Sequence, residues 1–152
     1  MGYKQYIDIF SALLTPVIAT VTTYIAVQQY RNNRLKVRHD LYDRRLAVLR
    51  ATNRFFLSAW QSRGFTWDDL KEFSLSKSEA HFLYDNELDN YLKDAYERGF
   101  KLLFLEDERK RSSVEDDQKI VYEMRDHQKW FGEQRDTLNQ RFRKYLSLKA
   151  LK

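Results

Sequence analysis

The chain has no cysteine, one proline and four glycines in 152 residues. Without cysteine there is no disulfide framework and no thiolate metal site. So little turn chemistry argues against a β-sandwich or a Rossmann-type sheet and leaves helices. No glycine-rich phosphate loop occurs, and no serine stands in a nucleophile-elbow context. The histidines His39, His81 and His127 are scattered without an H-x3-H spacing, so no metal and no cofactor are expected.

What is present is one long uncharged run. Ile9 to Val27 holds nineteen residues without a charge, and Arg31, Arg34, Lys36 and Arg38 follow it. A helix of that length covers a hydrocarbon core of roughly 30 Å. The basic cluster lies on one side only, with Lys4 on the other. The positive-inside rule then puts the N-terminus outside and the rest in the cytoplasm. The cluster itself is expected to meet anionic lipid headgroups. Positive charge follows the run instead of preceding it, and Asp8 intrudes, which speaks against a signal peptide. Ser11, Thr15, Thr20, Thr22 and Thr23 dilute the run, and a buried core helix is the rival reading. The division expected is 1–30, tail and transmembrane helix, and 31–152, a cytoplasmic helical domain.

Neither glycine nor proline occurs between Pro16 and Gly64, so one helix is expected from Tyr6 to Ser62, with a break at Asn32–Asn33 as the alternative. Tyr42, Leu46, Leu49, Asn53, Phe56 and Trp60 recur at 4-3-4-3-4 spacing and form an apolar packing face. Thr66 and Asp69 have capping-box spacing and predict a short helix to Leu75. Ser76 and Glu79 repeat the signal and predict a helix over Lys77–Asp107. Its stripe is Tyr84, Leu88, Leu92, Ala95, Gly99 and Leu102. Gly99 costs about 1 kcal/mol against alanine in a helix, so its place on the stripe predicts a close helix contact. The mixed-charge run Glu106–Asp117 reads as a solvated turn. Ser113 with Asp116 opens the last helix, striped by Ile120, Met124, His127, Phe131, Leu138, Phe142 and Tyr145 and ending near Leu148. His127 on that stripe is expected to be a hydrogen-bonded core histidine. The fold class expected is all-α: one N-terminal transmembrane helix continuing into a cytoplasmic antiparallel helical bundle.

Within the uncharged run, Ala12, Thr15, Ala19, Thr22 and Ala26 step 3-4-3-4 down one face. Small residues at this spacing let helices approach closely in lipid. They predict a homo-oligomer, a scaffold or a pore, with the Tyr42–Trp60 face as a second contact. In a pore, Thr15, Thr22 and Thr23 would face the lumen and Asp8 would ring one mouth. The basic, tyrosine-rich stretch Tyr30–Arg54 has the makings of a nucleic-acid surface. Topology accounts for its first half and a solvated helix face for its second, Asp40 and Asp43 dilute its charge, and no nucleic-acid partner is expected.

Arg34 and His39 have the Arg-x4-His spacing, which resembles the motif of HEPN ribonucleases. The resemblance implies a phosphate-stabilising Arg34 and a proton-transferring His39. On one helix, five residues correspond to about 140° around the axis, so the two side chains diverge. Tyr24–Val48, Phe82–Gly99 and Lys129–Leu148 together resemble a widespread group of short, single-span bacterial proteins. Those share a YIAYQQ span end, an Asn-Arg-Leu-Lys exit, a DLxDRR stretch and an RFxPYLxL close. This chain departs by Lys144, where proline is usual, and His39, where an apolar residue is usual. The resemblance implies an inner-membrane anchor with a helical cytoplasmic domain, and no activity. In architecture and size the chain is also similar to the membrane accessory protein of type VI-B CRISPR systems. The expectation is a self-assembling inner-membrane protein, as a scaffold or a membrane-perturbing, pore-type accessory, in an antiviral defence setting. The alternatives are a tethered HEPN-like ribonuclease and a passive adaptor for a cytoplasmic protein.

Overall fold

The computed structural model describes the backbone of residues 3–61, 64–111 and 114–147, and the side chains of 14, 16–61, 64–111 and 117–147. Among the described residues there are helices and no strands: α1 (Tyr3–Gln61), α2 (Trp67–Leu83), α3 (Asn86–Arg109) and α4 (Val114–Leu146). The protein is all-α. The chain divides into two units, Met1–Asp40 and Leu41–Lys152.

In the first unit the backbone is helical throughout its described length, Asn32–Asn33 included. Among the described residues no helix is long and apolar enough to cross a membrane. The side chains of Ile9 to Leu13 and of Thr15, which begin the uncharged run, lie outside the described ones.

The second unit is a bundle in which successive helices run antiparallel. Arg54 of α1 pairs with Glu72 of α2 at 2.8 Å, His81 of α2 with Asp89 of α3 at 2.9 Å, and Arg109 of α3 with Asp117 of α4 at 2.8 Å. Phenylalanines fill the centre. Phe55 stacks on Phe73 with ring centroids 4.0 Å apart, and Phe131 meets Phe55 and Phe56 edge-on at 5.6 and 5.2 Å. Burying each such side chain contributes about 1.5–3 kcal/mol. Gly99 faces this centre, and a Cβ on it would stand 2.5 Å from Cζ of Phe55. The close contact predicted for that glycine is present.

Two helix boundaries differ from the sequence reading. Thr66 and Asp69 form the expected capping box, with Thr66 N–H donating to the Asp69 carboxylate at 2.8 Å. The helix then passes through Ser76 and ends at Leu83. Tyr84 is extended, and the Asp85 carboxylate accepts from the Leu88 N–H at 3.1 Å to start α3. An N-cap needs an extended residue as well as the right side chain. Ser76 does not leave the helix, because Phe73 and Ala80 on either side of it are both buried. The solvated turn is also shorter than the mixed-charge run, since α3 continues to Arg109 and α4 starts by Val114. The proposed cap Ser113 and the end at Leu148 lie outside the described residues.

Candidate functional site

In the first unit, large apolar side chains stand in the open. Leu14, Val17, Ile18, Val21, Ile25 and Val27 are each about half exposed. At about 100° per residue they share one half of the helix circumference. Ala19, Thr22 and Ala26 are exposed and share the opposite half. Ala12 and Thr15, the other members of that face, lie outside the described side chains. The threonine hydroxyls bond inward along the helix. Thr20 donates to the Pro16 carbonyl at 2.8 Å, Thr22 to that of Ile18 at 2.6 Å, and Thr23 to that of Ala19 at 2.8 Å. Their polarity is thus satisfied locally, which lets a threonine-rich helix surface sit in an apolar medium.

Beyond this stretch Arg31, Arg34 and Lys36 are exposed and Arg38 is half-buried. The Arg34 guanidinium lies 5.9 Å from the centre of the Tyr30 ring. None of the four pairs with a carboxylate among the described residues. His39 is exposed too. On their shared helix Arg34 and His39 stand five positions apart, about 140° around the axis.

The face running from Tyr42 to Trp60 lies mostly inside the second unit. Leu49 and Phe56 are buried, and Tyr42 and Leu46 are half-buried. The centre of this face packs on α3 and α4 of its own chain, with Phe56 against Tyr91 and Phe131. Trp60, at the end of the same face, is 44% exposed. Its indole lies over Gly132, with the Arg135 guanidinium 5.3 Å from the ring centre.

One polar cluster had no sequence signal. Arg45 donates to the Tyr145 carbonyl at 2.9 Å, and the Tyr84 hydroxyl donates to the Arg45 carbonyl at 2.7 Å. Lys144 reaches Asp85 at 3.2 Å and Glu87 at 2.9 Å. The neighbouring Tyr145 hydroxyl, then the Leu88 N–H and the Lys144 ammonium, hold the Asp85 carboxyl down at about 2. The same hydroxyl and the two carboxylates raise Lys144. Burial pushes the Tyr84 phenol up. Lys144 thereby clamps the end of α4 to the start of α3. Such contacts join positions far apart in the chain, which no local spacing announces.

His127 also differs from expectation. Its Nδ1 is buried with no hydrogen-bond partner among the described residues. Burial, and then the positive charge of Arg98, lower its pKa below the ordinary value, so the imidazole is neutral near pH 7. It lines a groove of about 490 Å³ between α3 and α4, beside Phe100, Phe104 and Tyr122. Among the described residues no cluster of histidine and carboxylate side chains can hold a metal ion.

No family model, no curated protein and no solved structure matches the chain.

Proposed function

We propose that the chain is a single-span membrane protein that assembles with copies of itself and holds a helical domain at the cytoplasmic face of a bacterial inner membrane. The observation that carries this reading is the two-sided surface of the first unit. Half its circumference offers large apolar side chains left exposed among the described residues, and the other half offers Ala19, Thr22 and Ala26. Large aliphatic groups suit lipid tails, and small ones suit another helix at close range. The reading takes the span to begin at Ile9, ahead of the described side chains. Arg31, Arg34, Lys36 and Arg38 then fall where anionic headgroups neutralise them. With Leu49 and Phe56 engaged inside the bundle, association rests on the first unit, and the helical domain is presented outward as a scaffold.

The test is the mass of the detergent-purified protein by light scattering, corrected for bound detergent, for the wild type and Ala19→Leu. An oligomer in the wild type that Ala19→Leu dissociates supports assembly through the small-residue face. A monomer in both removes self-assembly and leaves an anchored adaptor. Extraction of the protein from isolated membranes by alkaline carbonate would remove the anchor itself.

A further inference from the structure

The groove between α3 and α4 is separate from the surfaces assigned above. Phe100 and Phe104 stand one turn apart on α3 and are 45% and 57% exposed, and Tyr122 of α4 is 75% exposed. Leu105 is buried in the floor. Three aromatic rings left open around about 490 Å³ fall in the size range of a small-molecule site. The charged groups lining it are Lys101 from α3 and Glu123 and Asp126 from α4. None of these three forms an ion pair among the described residues. Arg98, the next cation along α3, is held by Asp94 at 3.2 Å and lies over Trp130. Neutral His127 adds no positive charge. The lining therefore combines three exposed aromatic side chains with two carboxylates against one ammonium.

We infer that this groove binds a small organic cation carrying an apolar or aromatic group, such as a quaternary or alkylated amine. The ring faces attract the cation through their quadrupoles, and Glu123 and Asp126 supply the counter-charge at the rim. A neutral apolar ligand would gain only the contact area. An anion would meet two carboxylates for the one ammonium of Lys101. The inference does not depend on the membrane reading.

The experiment titrates benzyltrimethylammonium into the full chain in nonionic detergent, with histidine labelled for NMR. His127 is one of three histidines, so its imidazole signals report on this groove alone. The expected result is a saturable shift at His127, not at His39 or His81. Benzenesulfonate and benzyl alcohol should bind at least about fivefold more weakly, and Phe104→Leu, Glu123→Gln and Asp126→Asn should each weaken the cation about twofold to fivefold. All three positions are exposed, so the fold survives, and circular dichroism checks this. Absence of a saturable shift overturns the inference. So does equal affinity for benzyl alcohol, which would mark a plain apolar groove. Unchanged cation affinity in all three variants overturns it as well.

Discussion

The Arg45 guanidinium donates to the main-chain carbonyl of Tyr145 at 2.9 Å, across 100 positions of sequence. The carbonyl belongs to the last turn of α4, where backbone acceptors have no partner within the helix. Arg45 supplies one, and its own carbonyl accepts from Tyr84 at 2.7 Å. One arginine therefore ties α1, the α2–α3 turn and the end of α4 together.

Arg45→Ala should lower the stability of the helical domain by about 1.5–3 kcal/mol, the scale of a charged hydrogen bond. Tyr84→Phe should cost about 1 kcal/mol and Arg45→Lys an intermediate amount. Urea unfolding followed by circular dichroism measures all three. No loss in Arg45→Ala would mean the contact contributes nothing.

Gly99→Ala improves helix propensity and should still destabilise. The added methyl would stand 2.5 Å from the Phe55 ring, itself stacked on Phe73. Overpacking of this kind costs about 1–3 kcal/mol. Adding Phe55→Leu should recover part of that loss, and thermal melts of the single and double variants give the coupling.

Phe56 and Trp60 share one helix face at a spacing of four, yet substitutions at the two should behave differently. Phe56 is fully buried, so Phe56→Ala should cost about 3–5 kcal/mol. Trp60→Glu acts at a half-open position and should leave the domain folded. If assembly runs through the first unit, Trp60→Glu should also leave the detergent-corrected mass unchanged. A fall in mass would return Trp60 to an intermolecular contact.

Acid should loosen the bundle in two steps. Burial depresses the folded pKa of His127, so its neutral form stabilises the native state above the ordinary value of 6.5. That contribution is lost as the pH falls through the lower folded value. Asp85 is held at about 2 against an ordinary 3.8, so its contribution is present above about pH 4 and lost as the pH falls towards 2. His127→Phe should flatten the first step and Asp85→Asn the second. Urea midpoints from pH 7 to pH 2 check both signs, and NMR should show His127 titrating below 6.5.

The capping box at Thr66, the close approach at Gly99 and the all-helical class were legible because each is a local rule. Capping depends on residues three apart, and an amphipathic stripe on residues three and four apart. The α2–α3 break was misplaced for a related reason. Ser76 and Asp85 both carry cap chemistry, and burial of Phe73 and Ala80 decides between them. The clamp of Lys144 on Asp85 and Glu87 was invisible, since it joins residues almost 60 positions apart.

The sequence by itself determined helical content, the position of the uncharged run and the basic cluster behind it, because these are counts and spacings along one strand of chain. Tertiary structure decided which apolar faces remain open. Tyr42–Trp60 looks as adhesive in sequence as the small-residue face, yet most of it closes onto α3 and α4, while Phe100, Phe104 and Tyr122 stay uncovered. A stripe records only that a face is apolar. What covers it depends on how the other helices pack, and that is a property of the whole bundle.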